Sequence, residues 1–181
     1  MTDTTSNHPL ALHEELLLLM LRDERGTIAL GAMEQQSLAG AVLAELILRG
    51  AITPDTAKRP RAVATDTTPV GDDVLDEALA TIASSKRTRT LEDWGGRLAN
   101  MRKIKDRSAA RLVDLGILRR EEERFLFIFP NVRYPEVNHG PEGEIITRLW
   151  NAIASDDIVE DARTAVLVSL ADAAGALPMV F

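Results

Sequence analysis

The sequence has no cysteine and only three histidines, His8, His13 and His139. These absences exclude a disulfide framework, a thiol nucleophile and a zinc site built on thiolates, and they leave too little imidazole for a histidine-rich metal centre. Aromatic residues make up only 4% of the chain. No apolar run approaches the roughly 20 residues that a membrane-spanning helix needs. The longest, Leu16 to Leu21, is bounded by Glu14 and Glu15 on one side and Arg22 and Asp23 on the other, so it reads as a buried helix. Met1 to Pro9 is polar and has no basic-then-apolar plan of a signal peptide. Residues 1–9 are therefore expected to be a disordered tail, and the chain to be cytoplasmic, with membrane contact only peripheral and on the cytosolic face.

Basic residues are also in the minority, 21 against 28 acidic ones, for a net charge of −7. Such a balance argues against indiscriminate adhesion to nucleic acid or membranes. It does not exclude a focused anion site. With 181 residues and 45% apolar content, the chain can build one continuous core. Residues 10–181 are read as a single domain of mainly α class, a compact multi-helix fold with one or two small β-hairpins.

The apolar spacing predicts helices over Leu10–Arg22, Ser37–Arg49, Asp72 or Asp73 to about Ile82, Leu91–Leu115, Glu144–Ala154 and Asp161–Ala174. Glycines Gly26, Gly50 and Gly116 stand where helices should stop. Short strands are expected at Thr27–Leu30 and Ala62–Thr65. A hairpin is expected from Ile117–Arg120 and Arg124–Phe129, turning at Glu121 to Glu123, with Pro130–Gly143 as loop. The segments Leu43–Ile52 and Ala110–Leu118 resemble each other, and a shared helix-to-strand stop rule accounts for it.

No nucleophile elbow, phosphate-cradling loop or His-Glu-x-x-His helix is present. His13 begins an apolar helix without an oriented partner and reads as structural or solvated rather than as a base. Asp72, Asp73, Asp76 and Glu77 suit the first turn of a helix better than a magnesium site. The chain is therefore expected to be a binder and not an enzyme, with no cofactor and no metal.

The charge is unevenly distributed. Lys86 to Arg111 holds nine basic and three acidic residues, a local +6 that leaves −13 for the rest. Arg102 and Lys105, three apart on the expected long helix, would lie side by side as phosphate contacts. Four of the seven aromatic residues, Phe125, Phe127, Phe129 and Tyr134, cluster near the expected hairpin. Read as one strand, Phe125, Phe127 and Phe129 share a face and leave Leu126 and Ile128 on the other, so this hairpin would need a cover on both faces.

Several of these stretches resemble the Golgi phosphoprotein 3 family. Leu12-His13-Glu14-Glu15-Leu16-Leu17-Leu18-Leu19 with Arg22-Asp23 and Gly26 is similar to its opening, and Leu43 to Gly50 to its second helix. Pro69-Val70-Gly71-Asp72-Asp73-Val74-Leu75-Asp76-Glu77-Ala78-Leu79 resembles its most distinctive stretch. Arg111 to Leu118 followed by Phe125-Leu126-Phe127 fits the helix that leads into its hairpin. The blocks occur in order from about residue 10 to residue 175.

The resemblance implies a mainly helical domain that binds phosphatidylinositol 4-phosphate peripherally; eukaryotic members use it to retain glycosyltransferases in the Golgi. It places the two basic headgroup positions on Arg102 and Lys105, and the apolar pair of the hairpin on Phe125 and Leu126. The family's pocket arginine falls on Ala39 and its tryptophan near Leu30, so both depart. The alanine-rich, short-looped chain is more similar to bacterial members. The partner implied is an anionic phospholipid headgroup or membrane surface, with other proteins or self-association reached through the hairpin. A winged-helix-like nucleic-acid module and an oligomerising scaffold are the alternative readings; the acidic residues at the hairpin weigh against nucleic acid.

Overall fold

The computed structural model describes residues 10–22, 26–28, 34–125, 129–154 and 161–180. The expected tail at 1–9 lies outside the described residues, as do Leu30 and Leu126. The class is mainly α, as the spacing predicts. Helix α1 (Leu12–Met20) is buried along its whole length. It packs against α2 (Glu34–Leu48) and, from far along the chain, against α5 (Ile104–Asp114), α6 (Gly140–Ala154) and α7 (Ala162–Ala173). Leucines all round a helix leave no polar side to give to water, and a central position is the result. The helix is shorter than expected because Leu21 turns extended and β1 (Leu21–Arg22) pairs with β2 (Thr27–Ile28).

Helix α2 stops where Gly50 takes φ +71, with Ala51 N–H reaching back to Leu46 O at 2.9 Å. At the end of α5, Gly116 has φ +71 and Ile117 N–H donates to Leu112 O at 2.9 Å. The internal likeness between the two segments is this shared helix stop. After α2, strands β3 (Ile52–Pro54), β4 (Arg61–Ala64) and β5 (Arg89–Thr90) form an antiparallel sheet in that order. Helix α3 (Asp73–Ala83) is capped by Asp72, whose Oδ1 accepts from Leu75 N at 2.9 Å, and α4 (Leu91–Leu98) by Thr90.

The long helix expected over Leu91–Leu115 is two helices. Between α4 and α5, Met101 N–H turns back to Leu98 O at 2.9 Å and Lys103 adopts a left-handed backbone, φ 55 and ψ 37. Leu98, Met101, Ile104, Ser108 and Leu112 are nonetheless all buried. The apolar spacing identifies the inward side correctly and runs through a break that it cannot register.

The hairpin also differs. Strands β6 (Glu121–Phe125) and β7 (Phe129–Arg133) pair from Glu121 with Arg133 to Phe125 with Phe129. Glu121 to Glu123 thus lie in a strand rather than at the turn. The connection is 126–128, outside the described residues. Phe125 and Phe129 are cross-strand partners, not neighbours along one strand. Helix α6 starts earlier than expected, and a short α8 (Leu177–Val180) follows α7. Among the described residues, no helix is long and apolar enough to cross a membrane.

Charged groups accompany the leucines into the centre. Glu45 of α2 is 1% exposed, and its carboxylate accepts from Leu12 N–H at 2.8 Å and Arg49 Nε at 2.7 Å, with Arg163 Nη1 at 2.9 Å. Burial works against its charge, but the bonds from Arg49 and the Leu12 amide hold its carboxyl below the usual range. Glu15 pairs with Arg148 of α6 at 2.9 Å and with Arg163 of α7 at 3.4 Å. These pairs tie α1 to α2, α6 and α7.

Candidate anion-binding site

The basic stretch from Lys86 to Arg111 is divided by the fold. Arg107 turns to α3, donating to Asp73 Oδ2 at 2.7 Å and pairing with Glu77. Arg111 turns to α1 and pairs with Glu14. Arg89 lies over the buried Trp94 ring, 5.8 Å from its centroid. Their charge is spent on internal partners.

Arg102, Lys103 and Lys105 are the remainder around the start of α5. Arg102 is exposed and lies in the turn that precedes the helix, not on it. Among the described residues it has neither an ion pair nor a hydrogen bond. The expectation of Arg102 and Lys105 as neighbours on one helix face is thereby corrected, because the left-handed Lys103 separates them. Lys103 is exposed beside Arg102. Lys105 is half-buried, with Nζ 3.9 Å from Glu34 Oε1.

That contact brings together the starts of two helices, since Glu34 opens α2 and Ile104 opens α5. A helix N-terminus presents unpaired backbone N–H groups and a partial positive charge. Among the described residues, no side chain caps α5. The corner thus combines two helix N-termini with Lys105 and the carboxylates of Glu34 and Asp106, while Arg102 and Lys103 are exposed in the turn before α5; such helix starts favour phosphate or carboxylate. Glu34 faces this corner; burial raises its carboxyl above the usual range, with Lys105 opposing and Asp106 reinforcing the shift.

Asp106 connects the corner to the base of the hairpin. Its Oδ1 accepts from the buried Tyr134 hydroxyl at 2.9 Å. Burial first, then the Asp106 carboxylate, pushes the phenol up to about 12. The chain around Tyr134 is held by Gly26, whose carbonyl accepts from Tyr134 N–H at 3.0 Å. Gly26 has φ +57, and a Cβ there would stand 2.1 Å from Pro135 N. Only glycine fits this contact.

A sequence profile of the Golgi phosphoprotein 3 family, GPP34, matches residues 12–181. The chain belongs to that family. It is 29% identical over 176 residues to vacuolar protein sorting-associated protein 74 of Eremothecium gossypii, an alignment covering 86% of this chain and 53% of that protein. The chain therefore spans about half the length of this curated relative.

The family positions are distributed unevenly. Lys105 reaches Glu34 at the corner, and Arg102 stands exposed in the turn that precedes α5. Ala39 is fully buried in α2 and contributes no charge, and Leu30 lies outside the described residues. Phe125 occupies the last rung of the hairpin ladder. Two residues of the corner were not singled out from sequence. Lys103 carried no signal, because nothing local marks a lysine for a left-handed backbone. Glu34 would have been found had the start of α2 been placed three residues earlier.

The hairpin acids change meaning. Glu121 is paired with Arg119 at 2.6 Å and Arg133 at 3.6 Å, and Glu122 with Arg120 at 2.5 Å. These carboxylates sit at the base of the ladder with cationic partners. The sequence at its far end, Phe125 to Phe129, is entirely apolar.

Proposed function

We propose that this protein is a non-catalytic, peripheral membrane-surface protein that binds an anionic phospholipid headgroup. Arg102 and Lys105, joined by Lys103, contact the phosphate. The hairpin end at Phe125 and Leu126 supplies an apolar anchor for the bilayer or for a second subunit. The observation that carries this reading is the contact of the α2 and α5 starts through Glu34 and Lys105, with Arg102 and Lys103 exposed in the turn just before α5. Family membership supports phosphatidylinositol 4-phosphate as the first lipid to try, and a cytosolic membrane face as the location. The absent pocket arginine, with Ala39 in its place, favours recognition of phosphate charge over one particular headgroup.

Vesicle co-sedimentation tests the reading. Vesicles of phosphatidylcholine with phosphatidylinositol 4-phosphate are expected to pellet the chain, and pure phosphatidylcholine vesicles are not. The Arg102→Ala/Lys105→Ala variant should lose at least ten-fold in affinity, since each charge-assisted bond is worth about 1.5–3 kcal/mol. Equal binding to both vesicle types, or an unaffected double variant, would overturn the proposal.

A further inference from the structure

Beside the buried ion pairs lies a group of side chains that the anion corner does not use. His13, in the first turn of α1, is 0% exposed, and neither ring nitrogen has a hydrogen-bond partner among the described residues. Leaving a buried polar group unpaired costs about 1–3 kcal/mol. Its Nε2 is 3.8 Å from Asp72 Oδ2. Asp72 uses its other oxygen to cap α3, so Oδ2 is available.

Glu14 has the same division of labour. One oxygen accepts from Ala11 N–H at 2.8 Å and pairs with Arg111, whereas Oε1 is buried without a partner. One ligand atom from each of His13, Glu14 and Asp72 lies within 4.8 Å of the others. We propose that these three residues form a buried site for a divalent first-row transition ion of the zinc type.

The donor chemistry selects this class. One imidazole and two carboxylates suit zinc and its neighbours, whereas calcium and magnesium prefer oxygen alone. With no hydrogen bond at either ring nitrogen among the described residues, the buried imidazole has a donor atom to give. Ligand bonds of about 2.0–2.2 Å would draw the three donor atoms closer together. Arg111 Nη1, 4.0 Å from Asp72 Oδ2, supplies positive charge at the edge of the group. Its side chain is 32% exposed and can turn toward solvent as an ion enters. The ion would join α1 to the cap of α3. This proposal does not depend on lipid binding.

The test uses the untagged full chain, stripped with chelator and titrated with Zn²⁺ by calorimetry and with Co²⁺ by visible absorption. One equivalent of Zn²⁺ per chain is expected, with a cobalt d–d band displaced by Zn²⁺ and no uptake of Mg²⁺. His13→Gln and Asp72→Asn, the latter keeping an N-cap side chain, should each weaken Zn²⁺ binding at least 100-fold. His139→Gln should not, which sets aside the second group of Glu136, His139 and Glu142. If the variants fail to fold, the imidazole resonances of the wild-type chain decide: Zn²⁺ should shift those of His13 and leave those of His139. Absence of stoichiometric binding, survival of binding in either folded variant, or a shift confined to another histidine would overturn the assignment.

Discussion

Lys103 holds a backbone conformation that costs an L-residue with a side chain roughly 1–2 kcal/mol, and it does so at the candidate site. Glycine would relieve that cost and remove a cation. Lys103→Gly is expected to raise stability by about 0.5–1 kcal/mol in urea denaturation while weakening binding to anionic vesicles. A loss of stability would contradict the left-handed assignment. Tyr134 allows a second measurement at this scale because it is the single tyrosine of the chain. Absorbance at 295 nm should report its ionisation near pH 12 in the folded protein, and Asp106→Asn should move it downward. An ordinary phenol ionises near 10. The unfolded chain therefore releases this proton first, and stability should fall as the pH rises from about 10 toward 12.

Elements were legible to different degrees, and the reasons are physical. The stops at Gly50 and Gly116 and the cap at Asp72 depend on one or two residues of special chemistry, so they can be read locally. Asp161 is a further case, accepting from Arg163 N–H and Thr164 N–H at 3.1 Å each as it starts α7. Asp161→Ala should cost about 1 kcal/mol, measurable as a lower urea midpoint with an unchanged slope. The break between α4 and α5 was not legible, since Leu98, Met101 and Ile104 keep helical spacing across it. Nor was the hairpin register, which depends on pairing Glu121 with Arg133 and moves three acids from the turn into a strand. Of the candidate site, the residue types were visible in the sequence. The contact of Lys105 with Glu34 was not, because it depends on the meeting of the α2 and α5 starts, 70 residues apart.

Across the described residues, charge is sorted by partner as well as by sequence. Arg49, Arg111, Arg148 and Arg163 serve the carboxylates of α1 and α2, while Arg102 and Lys103 have no ion pair among the described residues. Glu45→Ala leaves the buried Leu12 N–H without its acceptor and Arg49 and Arg163 without this carboxylate. It is expected to destabilise the fold by about 1–3 kcal/mol, read by urea denaturation, beyond the effect of removing the exposed Arg102. A similar modest loss for both would mean that the inner pairs carry little of the fold. The same wrapping of α1 has a consequence for synthesis. Its leucines are made early, but Arg148 and Arg163, which close over Glu15, follow more than 130 residues later. At about 5–20 residues per second, α1 must wait roughly 7–30 s for its last neighbours. During that interval a nascent chain carries an apolar helix that α2 covers on one side and that its later neighbours have not yet closed over.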